Sequence, residues 1–237
     1  MSSLARFHEV MADFMSGRVG VERVEALLGP SPSGTKRLAL YPTLVRRQWN
    51  GVVDHFYRAL ASIANHTHPG RFARLRDGYL EAHPPAHWEP NRNVLGFPVY
   101  LEALGDVPPL WIELADFAVC RFKVMHADHS DVPRLDETLF VRHYDHDVSL
   151  VSAVVEREGG ASVPDVQVAP RTIVFGRHVR TGRLVVTTPS FAALIALGRL
   201  AGESIPALPA GLTEAQVEHE RGALAELGLI AMPGANS

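Results

Sequence analysis

The chain is short of cysteine, of net charge and of long apolar runs, and each shortage narrows its function. Cys120 is the single cysteine, so neither an internal disulfide nor a cysteine metal cluster can form. That fits a reducing cytoplasm. Lys and Arg number 23 against 26 Asp and Glu, a formal net charge of −3. A general nucleic-acid binder carries a positive excess, so no nucleic-acid partner is expected. No stretch reaches the roughly 18 uninterrupted apolar residues of a membrane span. Arg6, His8, Glu9 and Asp13 interrupt the N-terminus, where a secretory signal needs an unbroken apolar core. A cytoplasmic location without membrane contact is therefore expected. Internal repeats and low-complexity runs are absent as well. With 237 residues and 46% apolar content, one large domain or two small ones can form.

What is present in the first half is helical spacing. Leu4, Phe7, Val10, Met11 and Phe14 predict a helix over 3–16, and a second short one covers 19–28, ended by Gly29-Pro30. The strongest stripe runs from about 37 to 64, through Leu38, Tyr41, Val45, Trp49, Val52, Phe56, Leu60 and Ile63. Pro42 either starts the main helix or kinks a longer one. A helix over 69–82 stops at His83-Pro84-Pro85, an extended loop fills 84–95, and a short helix covers 97–104. Pro108-Pro109 opens a helix over 109–127 that is apolar on nearly every side at its centre, which predicts the buried member of a bundle.

Past residue 130 the period changes. Residues 138–142 and 148–155 read as strand or mixed structure, and 156–165 as loop. The runs 171–177 and 183–188 flank a glycine-containing turn, the pattern of a hairpin. Pro189 suits the first position of a helix over 189–200, and Thr213 with Gln216 forms a capping box for a last helix over 213–228. The expected fold class is α+β. A helix bundle over 1–130 precedes a small winged-helix-like domain over 131–237, whose hairpin can accept a peptide strand.

Catalytic signals are weak. Eight of the twelve histidines fall in near pairs, His66/His68, His83/His87, His126/His129 and His143/His146, but HExxH is missing and prolines break the helical geometry at His83/His87. Asp145 and Asp147 could complete a site with His143 and His146. Gly-x-Ser-x-Gly, a Walker loop and a dinucleotide fingerprint are all absent, and Cys120 lies in an apolar helix where a thiol is inert packing. No catalytic residue and no metal ligand is assigned to this chain.

Binding signals are better. Arg171, Arg177, Arg180 and Arg183 crowd the hairpin around Ile173, Val174 and Phe175, without an acid among them. An exposed edge there could take another strand by main-chain hydrogen bonds, with the arginines drawing an acidic peptide. A solvated edge blunted by charge is the plainer alternative. If the edge lies on this strand, Val174→Pro removes a donor that the peptide needs. The loop His87, Trp88, Glu89, Asn91, Arg92 sets a tryptophan among polar groups, as at partner interfaces, though the ring could equally plug the bundle. A DNA-binding transcription regulator is the alternative function. Glu214, Glu218, Glu220 and Glu226 against Arg221 would repel phosphates from its recognition helix.

Four blocks carry a family resemblance: RLALYPTLVRRQWNGVVDHF at 37–56, YLEAHPP at 79–85, FPVYLEAL at 97–104 and PPLWIELADFA at 108–118. Together they resemble the helical domain, often described as DNA-binding, of partner subunits of multinuclear non-haem iron oxidases. Such pairs mature ribosomally made peptides of the methanobactin and 3-thiaglutamate type. The resemblance implies a non-catalytic subunit in a heterodimer with a TIM-barrel iron enzyme, the iron being held by that enzyme. It further implies that the leader of a precursor peptide adds to the C-terminal sheet, and that the modification is an oxidation, at cysteine. This chain departs from the pattern at Phe117, where an acid is usual, and in its proline-broken stretch 203–211.

Overall fold

A computed structural model of the chain describes residues 3–84, 87, 89–128, 134–159, 166–203 and 207–231. Its backbone divides into two compact units, Met1–Gly105 and Asp106–Ser237. The fold is mixed helix and sheet, the α+β class that the patterning predicts.

The first unit is helical throughout its described residues. It runs α1 (Ser3–Met15), α2 (Val21–Leu28), α3 (Thr35–Leu38), α4 (Tyr41–Phe56), α5 (Arg58–Thr67) and α6 (Arg71–Ala82). A 3-10 turn (Pro90–Val94) and α7 (Phe97–Leu104) complete it. The long stripe over 37–64 is thus broken twice. Pro42 lies in the first turn of α4, where its missing N–H costs nothing. At Tyr57 the backbone leaves the helix (φ −106°, ψ 36°). The Tyr57 side chain accounts for the break. It is buried, its hydroxyl donates to the Val94 carbonyl, and its ring packs 4.9 Å from Phe97. Phe97 in turn meets Phe72 at 6.2 Å and Tyr79 at 5.1 Å, so α5, α6 and α7 close on an aromatic core.

The second unit contains α8 (Pro109–His126), β1 (Phe140–His146), α9 (Val148–Glu158), β2 (Val168–Arg177), β3 (Leu184–Thr187), α10 (Phe191–Leu200) and α11 (Glu214–Glu226). The buried helix α8 was expected to belong to the N-terminal bundle. It packs instead on the sheet and on α9, which is why the units part at Gly105 rather than near 130. Phe117 lies 5.2 Å from Phe175 and 6.3 Å from Tyr144, so the position where an acid was anticipated is an aromatic wedge between helix and sheet. Residues 148–155 are helix, not strand. Val148, Val151 and Val155 form one buried face at helical spacing, and the Asp147 carboxylate caps the first turn by accepting from Leu150 N–H at 3.1 Å. Tertiary burial overrides the strand preference of the valines.

The three strands are antiparallel in the order β1-β2-β3. Tyr144 pairs with Arg171 and His146 with Val168, so β2 carries an extra residue at a bulge that includes Pro170. A proline has no donor for the ladder and is tolerated there. The hairpin expected over 171–188 is present as β2 and β3. Ser190 caps α10, accepting from Ala193 N–H at 3.1 Å, and the Thr213–Gln216 capping box of α11 is formed on both sides.

Candidate functional site

The hairpin is held at its tip as well as along its ladder. His178 N–H donates to the Arg183 carbonyl at 2.8 Å, and Gly182 N–H to the His178 carbonyl at 2.8 Å. The amides of Arg180 and Thr181 both donate to His178 Nδ1, at 3.2 and 3.3 Å, so that ring nitrogen is an acceptor and organises the turn. Val179 N–H reaches the Gly228 carbonyl at 2.7 Å, and a methyl group at Gly228 would lie 2.5 Å from the His178 ring. The turn is therefore docked on the C-terminal end of α11.

The arginines of this region divide into two kinds. Arg171 pairs with Asp147 at 2.8 Å, and Arg177 donates to the Ala127 carbonyl at 3.0 Å. These two hold the fold. Arg180 and Arg183 are exposed, and among the described residues their guanidinium groups pair with no acid. Ile173, Val174 and Phe175, expected to line a peptide edge, lie in the middle strand and are buried. Val174 and Phe175 pair on both sides, with Val141 and Phe140 on β1 and with Thr187 and Val186 on β3. They can accept no further strand, and Val174→Pro would break the sheet's own ladder. The outer strands of the sheet are β1 and β3, and the hairpin contributes β3. Because His178 and Arg183 form a hydrogen-bonded pair, the alternation of an antiparallel ladder points Arg183, Val185 and Thr187 inward. The backbone groups of Leu184 and Val186 then point outward, and among the described residues no strand pairs with them.

The loop of the first unit is ordered by a residue that the sequence reading passed over. Asn93 accepts from His87 N–H at 2.7 Å and donates to the His87 and Glu89 carbonyls at 2.7 and 3.1 Å. Tyr79 donates to the Asn93 carbonyl at 2.7 Å. Glu89 pairs with Arg92 at 2.7 Å, and Asn91 is exposed. Trp88, the proposed anchor, lies outside the described residues.

A polar network also joins α8 to β1. Tyr144 donates to Asp116 Oδ2 at 2.8 Å, the Cys120 thiol approaches the same oxygen at 3.6 Å, and Arg142 Nε stands 3.7 Å from it. Arg142 reaches Asp136 at 3.0 Å. One turn earlier on the helix, Glu113 accepts from Asp145 N–H, His146 N–H and His146 Nδ1 at 3.0, 3.2 and 2.9 Å. Glu113 and Asp116, three residues apart in the apolar first half of the helix, were the sequence signal for this network. The carboxylates and histidines that could have made a metal site are used differently. His146 is bound to Glu113 and Asp147 to Arg171, and no three ligating side chains converge among the described residues.

Burial, reinforced by the nearby Asp116 charge, pushes the Cys120 thiol from its ordinary 9.0 up to about 12. Burial also raises the Tyr144 hydroxyl above its ordinary range. Both groups stay protonated in the fold and ionise in the unfolded chain once the pH passes their ordinary values. Their contribution is complete below about pH 9 and is lost as the pH rises toward 12. The native thiol is accordingly expected to resist iodoacetamide at pH 8 and to react in urea. The urea midpoint should fall steadily above pH 9. Stoichiometric alkylation of the folded protein at pH 8 would refute the buried placement.

The chain matches no family model and no curated protein. Among the described residues, no helix is long and apolar enough to cross a membrane.

Proposed function

We propose that this chain is a non-catalytic partner subunit of a peptide-modifying iron oxidase. The second unit acts as a winged-helix-like peptide-recognition element and takes the precursor's leader as a fourth strand. The first unit docks on the iron enzyme through its helices and the 87–94 loop. The iron, and the oxidation at cysteine, belong to the partner enzyme.

The observation that carries this reading is the open edge of β3. Leu184 and Val186 direct their backbone groups outward, from a hairpin pinned at its tip to α11. Such an edge adds a strand through main-chain hydrogen bonds. The exposed Arg180 and Arg183, beside the start of β3, favour an acidic segment over a basic one.

Val186→Pro is the direct test, because a proline on the solvent side of an edge strand removes an outward donor and spares the ladder. Its affinity for a labelled leader peptide should fall at least about tenfold in fluorescence anisotropy, one lost hydrogen bond plus local misfit. Unchanged affinity would remove β3 from the reading. Co-expression with a TIM-barrel iron enzyme, followed by size exclusion with iron measured per peak, tests the docking half. Separate elution, together with salt-sensitive binding of duplex DNA, would favour the transcription-regulator alternative.

A further inference from the structure

A cleft of about 720 Å³ opens in the first unit between α1, α4 and α6. That volume is within the range of small-molecule sites. Its apolar wall is formed by Met15, Val45, Trp49 and Leu80. Trp49 is only half-buried, although it lies on the inward side of the α4 stripe. Three charged side chains line the same cleft. Arg18 is committed to Asp13 at 3.0 Å. Arg46 and Glu81 are exposed and have neither an ion-pair nor a side-chain hydrogen-bond partner among the described residues. The two do not pair with each other, since no bridge within 4.0 Å joins them.

We propose that this cleft binds a small zwitterion with an apolar body, of the dimensions of a dipeptide. Arg46 takes its carboxylate, Glu81 its ammonium group, and Trp49 covers the side chains. The two free charges of opposite sign decide the ligand class. An anion alone would leave Glu81 facing it, and a cation alone would leave Arg46 facing it, so only a ligand carrying both signs satisfies the pair. The half-exposed indole supplies the apolar and cation–π surface that a ligand ammonium and an aliphatic or aromatic side chain both favour. The site uses no residue of the hairpin, so it stands or falls independently of the leader-peptide reading.

Calorimetry with three probes tests this. The probes are the dipeptide phenylalanylleucine, its N-acetyl form and its C-terminal amide. The wild-type chain should bind the free dipeptide about fivefold more tightly than either blocked form, the yield of one solvent-facing charge contact each. Arg46→Gln should abolish the preference over the amide and keep that over the acetyl form. Glu81→Gln should do the reverse. Both residues are on the surface, so both variants should melt as the wild type does. Trp49→Leu should weaken all three probes alike. Absence of saturable binding up to millimolar probe, or preferences that neither charge variant alters, would overturn the proposal.

Discussion

Asp116→Ala is expected to lower the stability of the chain by about 3 kcal/mol, read from urea denaturation. The estimate rests on one oxygen with three neighbours. Asp116 Oδ2 accepts from the Tyr144 hydroxyl at 2.8 Å, takes the Cys120 thiol at 3.6 Å and faces Arg142 Nε at 3.7 Å. Tyr144 is only 3% exposed, so its hydroxyl has no water to turn to when the carboxylate is removed. A stranded buried donor costs about 1–3 kcal/mol beyond the lost bond. Tyr144→Phe deletes the donor along with its need and should cost only about 1 kcal/mol. The double variant is then the decisive one. It should be less destabilised than the sum of the singles by about 1 kcal/mol, because no hydroxyl is left stranded. Additive single effects would mean that the bond between α8 and β1 contributes nothing of its own.

Gly228→Ala is the second large effect, at about 2–3 kcal/mol. Two causes act together. Gly228 has φ +73°, where a side chain costs about 1 kcal/mol. Its Cβ would also stand 2.5 Å from the His178 ring, nearer than atoms pack. That ring cannot simply swing away, since its Nδ1 accepts from the amides of Arg180 and Thr181. His178→Ala in the alanine background should recover the steric part and leave the backbone part. The substitution also bears on the proposed function. A tip released from α11 would loosen β3, so leader affinity should fall in Gly228→Ala even though residue 228 is not part of the proposed peptide edge at Leu184 and Val186. Unaltered stability in Gly228→Ala would show that the hairpin tip is not docked as described.

Local signals were legible in the sequence where they act over a few residues. The Thr213–Gln216 capping box, the proline start of α4 and α8, the 97–104 helix and the paired β-runs around Gly182 all lie where their patterns place them. Each depends on a bond or a torsion between near neighbours. Other readings failed for one shared reason: they needed to know what lay opposite. The valines of 148–155 read as strand or mixed structure until their burial on one helix face is seen. The apolar helix expected over 109–127 read as bundle core because apolarity does not say whether helices or a sheet will cover it.

The candidate site shows the same division. Crowded arginines in the hairpin could be read directly from the sequence. Which arginines remain free could not, because Asp147 and the Ala127 carbonyl claim Arg171 and Arg177 from distant parts of the chain. Nor could the open edge be read. A third strand, β1, arrives from residues 140–146 and makes Ile173, Val174 and Phe175 the middle of the sheet. By itself the sequence determined the helix-then-hairpin order and the chemistry available on each segment, since hydrophobic period and capping are local. Only the tertiary structure decided which strands are at the edges, which charges are neutralised and that Arg46, Glu81 and Trp49 share one cleft, because pairing and burial are set between residues far apart in the chain.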